Sequence, residues 1–308
     1  MLYLTYDNEV LTDGAGAQIQ RIISIYLISK IFSVGYIHQG LKRMENYGAK
    51  CMEENKEDPD QIEKYNELIH LPSTPFTEIH QMGKVFDISE EIISQYRDQP
   101  KNTLLVIQFA GTMIDARPGF LLPAPHIFTW NIRPSLIARP IIVAIHVRRG
   151  DLFVLAPDRM LPNSYYIECM EALHSIFTEA KVSYEFHLHT EVITKSTLIT
   201  SDHNGIGDKI SKSVLVTPED SKMEDFKVIP NIKYHINEYP IDTLKALTLS
   251  DVLLASRSSF SYVASIVKRG GVVLFHPFWH SLAPGWIPTR GKDDIIAAKN
   301  DILSKLSS

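Results

Sequence analysis

The chain has 308 residues, of which 44% are hydrophobic and 22% charged, ordinary proportions for a globular protein that exclude a disordered or fibrous one. Its formal net charge of −5 offers no overall attraction to nucleic acid or an anionic membrane, and no apolar run approaches the ~20 residues of a spanning helix. Cys51 and Cys169 are the only cysteines, too few and too far apart for a disulfide framework or a structural zinc site, so a soluble cytoplasmic protein with ordinary thiols is expected.

Leu2–Tyr6 reads as a first strand, followed by Thr12, Asp13, Gly14, Ala15, Gly16, Ala17 and Gln18, and then by Ile19, Ile22, Ile23, Tyr26, Leu27 and Ile31 at helical spacing. Strand, glycine loop and helix start form a candidate phosphate cradle, because a helix amino terminus offers unpaired N–H groups and partial positive charge. Taken alone, a structural βα turn is the better reading, since neither the Walker pattern nor the full dinucleotide fingerprint is present. Residues 35–38 suggest a second short strand, and the charged stretch 50–67 a solvated helix-loop-helix face. A helix over 89–97 and a buried strand over 104–109 follow. Pro118, Pro123, Pro125 and Pro134 then mark a crossover, with a domain boundary near 137–140.

The next stretch, Arg139 to Asp151, dominates the chain. Ile141, Ile142, Val143, Ala144 and Ile145 form a β-branched run typical of a strand buried on both faces, and it breaks into His146, Val147, Arg148, Arg149, Gly150 and Asp151. Open α/β sheets bind ligands at the carboxyl ends of their strands, so two guanidiniums there point to an anion, most simply a phosphate. A surface ion pair is the plain alternative for two Arg alone. His146 and Asp151 in the same turn favour a site.

A loop is expected over 152–161, a helix over 162–180 and a strand over 182–190, where His187 and His189 project to one face. Two His suggest a metal, but no third ligand has convincing spacing, so no metal site is assigned. Glu191 stands at the strand's carboxyl end. A strand over 214–217, a short helix near 219–226, a helix over 240–249 and a buried strand over 251–255 come next. Ser258 and Ser259 then cap a helix carrying Phe260, Tyr262, Val263, Ile266 and Val267, on its own an ordinary capped helix and, beside the Arg pair, a candidate second anion cradle. A strand over 272–275 and a closing helix over 292–307 complete an alternation that implies an α/β fold of two Rossmann-like halves facing a cleft.

HVRRGD at His146–Asp151, SRSSFS at 256–261 and GAGAQ at 14–18 together resemble the fucosyltransferase superfamily, which contains α-1,2-, α-1,6- and protein O-fucosyltransferases. Its strand-end motif H-x-R-R-x-D is matched in full. Its glycine loop is commonly G-x-G-N-Q, where this chain has Ala17 for the Asn, and its S-D-D after a later strand corresponds to His189-Thr190-Glu191. The resemblance implies a GT-B-like glycosyltransferase, inverting and metal-independent, with an acceptor-side domain at 1–138 and a nucleotide-sugar domain at 139–308. The donor would be GDP-fucose and the acceptor a glycan hydroxyl. Arg148 and Arg149 would hold the diphosphate, Ser258, Ser259 and Phe260 the phosphate and nucleotide side, and His146 and Asp151 would shape the pocket beside Gly14 and Gly16. Asp13, Asp151 and Glu191 are candidates for the general base.

Nothing in HVRRGD reads fucose or guanine, so a UDP-sugar such as UDP-xylose is the alternative donor. A binding protein without turnover is a second class. An NAD-type oxidoreductase fits poorly, since the glycine fingerprint is missing where it would be needed.

Overall fold

The computed structural model describes residues 1–9, 13–44, 58–75, 78–126, 139–150, 152–155, 157–204 and 209–307. Cys51, Asp151, the segment 45–57 and residues 127–138 of the Pro-rich crossover lie outside them.

Strand β1 (Leu2–Tyr6) is buried at every position, leads into helix α1 (Ala15–Ile31), and is followed by β2 (Gly35–Tyr36) and α2 (Pro59–Leu68). Then come β3 (Gln81–Asp87), α3 (Glu90–Arg97), β4 (Thr103–Phe109) and the short α4 (Gly111–Ala116). The four strands form one parallel sheet in the order β2-β1-β4-β3.

The second sheet begins with β5 (Ile141–Val147), continues through the one-turn α5 (Leu152–Leu155) and α6 (Asn163–Glu179), and adds β6 (Tyr184–Thr190). An antiparallel hairpin, β7 (Thr197–Asn204) and β8 (Lys209–Val216), stands apart as its own two-stranded sheet. The chain resumes with β9 (Ile232–Ile236), α7 (Pro240–Leu249), β10 (Val252–Ala255), α8 (Ser259–Val267), β11 (Val272–Phe275) and β12 (Ile287–Pro288). Helices α9 (Lys292–Ala297) and α10 (Lys299–Ser307) end it.

Six parallel strands lie in the order β12-β11-β10-β5-β6-β9. With β5 as first strand, this is the doubly wound dinucleotide-fold order, and its switch point falls between β5 and β10. The expected α/β class with two Rossmann-like sheets is therefore what the chain adopts. Several local expectations differ. Strands β7, β9 and β12 have no counterpart in the sequence reading, and the strand expected over 214–217 is the end of the longer β8. The predicted loop at 152–161 holds a helical turn, two 3-10 turns at Pro218–Ser221 and Met223–Val228 replace one helix, and the closing helix is two. Strand β9 is a half-exposed edge strand with the sequence IKYHI, too polar for its period to stand out.

Helix α1 joins the two sheets. Thirteen of its 17 residues are buried, so it is covered on all sides rather than on one stripe. Leu2, Leu4 and Tyr6 from β1, Ile19, Ile22 and Ile23 from α1, Tyr262, Val263 and Ile266 from α8, and Ala255 and Phe275 from the second sheet all belong to one apolar cluster. A second cluster fills the opposite face of the six-stranded sheet, where α6, α9 and α10 pack. It encloses Cys169, whose thiol burial pushes up to about 12, so the sulfur stays protonated and unreactive.

At the amino end of β5, Arg139 makes a bidentate pair with Asp251, at 2.7 and 2.9 Å. Asp251 also accepts the Ile142 amide at 2.7 Å and is wholly buried. It thereby locks β10 beside β5. Asp251→Ala leaves a guanidinium and an amide facing a void, and is expected to cost about 3–5 kcal/mol of stability, read from the midpoint of urea denaturation.

Candidate functional site

The β5/β10 switch point brings together stretches far apart in the sequence. His146, the next-to-last residue of β5, is 7% exposed, and its Nδ1 lies 3.0 Å from the Ser256 hydroxyl just past β10. Its ring packs 5.6 Å from that of Phe260 on α8. Burial, reinforced by Arg148 and His189, lowers the imidazole to about 3, so it is neutral at physiological pH and serves as a hydrogen-bonding wall. Ser258 caps α8, its hydroxyl accepting the Phe260 amide at 3.2 Å. The Ser259 hydroxyl reaches His280 at 3.4 Å.

Side chains on a strand alternate between faces, and this separates the two arginines. Arg148 continues the His146 face. Its guanidinium contacts the Glu191 carboxylate at 3.3 Å across from the end of β6, and it donates to the Arg149 carbonyl at 3.2 Å. Arg149 instead follows Val147 to the α6 face. It is 5% exposed, donates to the Asn163 side-chain oxygen and to the Arg148 carbonyl, and lies 5.8 Å above the Tyr166 ring. Asn163 in turn donates to the Lys222 carbonyl at 2.9 Å and the Asp225 carboxylate at 3.0 Å. Where the motif suggested two guanidiniums on one anion, the fold puts one on the crevice side and uses the other to anchor the turn. Gly150 closes that turn at φ +60°, a left-handed conformation that suits glycine.

The glycine loop reaches the same place from the first sheet. A Cβ on Gly16 would stand 2.5 Å from the Phe260 nitrogen and 2.6 Å from its Cα, whereas Gly14 has open space around it. The first turns of α1 and α8 therefore touch, so two partially positive helix ends meet beside His146. Asp13 is engaged locally: it pairs with Arg21 at 2.7 Å and accepts the Gly14 amide at 2.9 Å. Gln18 donates to the carbonyls of Asp13 and Arg43 at 2.7 and 2.9 Å, which ties the loop down. Thus His146, Arg148, Glu191, Ser258, Ser259, Phe260 and the Gly14–Gly16 loop are brought together, Arg149 is turned away, and Asp151 lies outside the described residues.

Two features escaped the sequence reading. Asp7, just past β1 and 1% exposed, accepts from Gln108 at 3.5 Å at the β1/β4 switch point and lies 3.6 Å from Lys84. Its place after the first strand was the available signal. The expectation that no third ligand joins His187 and His189 is corrected by His235. It lies 48 residues on from His187 in sequence but is the direct neighbour of His189 across β6 and β9, and the three offer ring nitrogens within 4.8 Å of one another.

Among the described residues no helix is long and apolar enough to cross a membrane. No protein-family model matches the chain, and no curated protein matches its sequence. Solved structures similar to it include the iron-containing dodecameric glycosyltransferase TibC from enterotoxigenic E. coli H10407, with 10% identity, a TM-score of 0.35, and coverage of 99% of this chain and 76% of that one. A structure of the heptosyltransferase TibC in complex with ADP-D-beta-D-heptose is similar at 11% identity and a TM-score of 0.36, with coverage again of 99% and 76%. At so distant a likeness, the functional reading rests on the residues of this chain.

The contrast between the two glycines is testable. Gly16→Ala forces its new methyl into the Phe260 backbone and is expected to lose about 1–3 kcal/mol by overpacking. Gly14→Ala, placed in open space, is expected to change stability by less than about 1 kcal/mol. Paired urea denaturation curves read both.

Proposed function

We propose that this chain is a glycosyltransferase whose nucleotide-sugar donor places its diphosphate in the β5/β10 crevice, between Arg148 and the start of α8. One observation carries the reading: the HVRRGD strand end and the SRSSFS helix start, which resemble the fucosyltransferase motifs, meet at the switch point of the six-stranded sheet through the His146–Ser256 contact at 3.0 Å. By that resemblance the donor is GDP-fucose, the acceptor a glycan hydroxyl, and the transfer inverting, with no metal on the diphosphate.

In such a transfer the bond from the sugar's anomeric carbon to the diphosphate oxygen breaks as the acceptor oxygen attacks the opposite face. Negative charge builds on the departing phosphate. Fixed donors that meet this charge are each worth a few kcal/mol in the transition state. Arg148 supplies a full positive charge, and the touching amino ends of α1 and α8 supply oriented N–H dipoles. Neutral His146 adds no competing cation. Arg149 acts as a positioning residue, holding the turn that aims Arg148.

Arg148 is paired with Glu191, so an incoming diphosphate exchanges one anion for another. Once displaced, the Glu191 carboxylate takes the role of base toward the acceptor hydroxyl, a role Asp13 is poorly placed to fill while it is held by Arg21. The ion pair then keeps the cation oriented and compensated until the donor arrives.

Titration of GDP and UDP against the protein, with a hydrolysis screen of nucleotide sugars in buffer without added Mg2+ or Mn2+, tests the reading. GDP binding in the range of about 1–100 μM and turnover of GDP-fucose are expected. UDP binding in place of GDP reassigns the donor, and nucleotide binding with no turnover of any donor reduces the protein to a receptor. Two variants probe the mechanism. Arg148→Ala should abolish nucleotide binding. Glu191→Gln, which removes the resident anion, should tighten GDP binding several-fold while slowing transfer about 100- to 10,000-fold, the usual range for a lost general base.

A further inference from the structure

We infer that His187, His189 and His235 form a binding site for a divalent transition-metal ion of the zinc type, on the β6–β9 edge of the six-stranded sheet. His187 and His189 lie two residues apart on β6 and so share a face. His235 is the register partner of His189 on β9 and completes a triangle on that face. Their ring nitrogens all fall within 4.8 Å of one another. Imidazole ligands bind zinc at about 2.0–2.1 Å, so nitrogens on a tetrahedral ion stand about 3.4 Å apart. The widest separation therefore needs to close by no more than about 1.4 Å, within reach of a side-chain rotation.

The hydrogen bonding around the rings points to an ion. Nδ1 of His187 and Nε2 of His235 face each other at 2.9 Å. Their outer nitrogens each meet a carboxylate: His187 Nε2 lies 3.3 Å from Glu185, and His235 Nδ1 lies 2.7 Å from Glu238. A carboxylate accepts a hydrogen bond from the nitrogen it faces, so both outer nitrogens carry hydrogen and both inner ones present lone pairs. Two lone pairs at that distance repel unless an electrophile lies between them. Carboxylates behind ligating imidazoles are the usual outer partners of a metal site, fixing tautomer and ring orientation. Lys233, at 2.8 Å from Glu185, steadies that carboxylate from outside.

His189 gives an independent reason. It is 1% exposed, and neither of its ring nitrogens has a hydrogen-bond partner. A buried polar ring with both nitrogens unsatisfied is rare in a native fold, because desolvation is not repaid. A metal ion takes up one of these nitrogens directly. The second oxygen of Glu238, 3.7 Å from His189 Nδ1, stands close enough to serve as a fourth ligand or to orient a bound water. Three nitrogen donors and at most one carboxylate suit Zn2+, Co2+, Ni2+ or Cu2+, and lack the oxygen-rich set that Mg2+ and Ca2+ require.

This site is one strand removed from the β5/β10 crevice and stands whether or not the donor reading does. Its ion would strap edge strand β9 to β6 next to Glu191. The test uses the full chain, without an affinity tag, stripped with chelator, desalted, and titrated with Zn2+ alone in competition with a chromophoric chelator. Uptake of one Zn2+ per chain is expected. His187→Gln and His235→Gln, both at partly exposed positions, should keep the wild-type circular dichroism and weaken uptake at least about 10-fold, as should Glu238→Gln. Arg148→Ala should take up Zn2+ as the wild type does, which separates failure here from failure of the donor reading. No saturable uptake by the wild type, or undiminished uptake by the His187→Gln/His235→Gln double variant, would overturn the inference.

Discussion

The contact between the first turns of α1 and α8 governs this architecture. Each helix follows a central strand of its own sheet, β1 or β10, so their contact brings the carboxyl ends of two parallel sheets to one place. It depends on the missing side chain at Gly16, since any Cβ there would overlap the Phe260 backbone. Around it the seam is largely apolar, with α1 buried almost all round. The halves therefore meet through a shared core and not only across a solvent-filled cleft, which fixes the loop at 13–16 relative to the end of β5. Two helix amino ends in contact also repel one another weakly. That is an electrostatic cost which the Asp13 carboxylate partly offsets and which an anion would relieve.

Electrostatics at the end of β5 follow from strand geometry. Arg148 and Arg149 carry the alternation of β5 past its last residue, so they diverge, one toward Glu191 and the other toward α6. Arg149 is desolvated, and burial lowers its affinity for its proton. Asn163 and the Tyr166 ring hold it as part of the framework. Arg148 keeps a carboxylate partner that is itself partly exposed, an arrangement suited to ligand exchange, since both ions can be rehydrated or repartnered at modest expense.

Much of this was readable from the sequence, and the failures have definite causes. Long periodic helices such as α1 and α6 and the predominantly apolar strands β1, β5 and β10 emerged because burial on both faces leaves an unmistakable composition. The motif at His146 pointed to the end of β5, where a 3.0 Å contact joins it to Ser256 past β10, yet its letters suggested two equivalent arginines. The alternation that separates them was available in the sequence and went unused. Strand β9 was missed because an edge strand needs apolar residues on only part of one face, and Lys233, Tyr234 and His235 mask its period. Missing β9 also hid His235. Residues 48 apart become neighbours only when the strand order is known, and no spacing rule links HLH on one strand to a His on the next.

That register has a further consequence. His146, His189 and His235 occupy one row across β5, β6 and β9, so three imidazoles lie side by side on the α8 face of the sheet. The rings of His189 and His235 stack at 4.4 Å and those of His187 and His235 at 5.0 Å. Burial, together with the neighbouring imidazoles, keeps His189 neutral down to about 3, and His146 is neutral for a similar reason. The pair of uncharged imidazoles at His146 and His189 can sit beside Arg148 without adding to its positive charge. It presents lone pairs instead, and these must be met by hydrogen or by metal. At His146 the Ser256 hydroxyl meets the need. At His189 no side chain among the described residues does, so the same row that lines the β5/β10 crevice at His146 leaves electron-rich nitrogens unsatisfied one strand away.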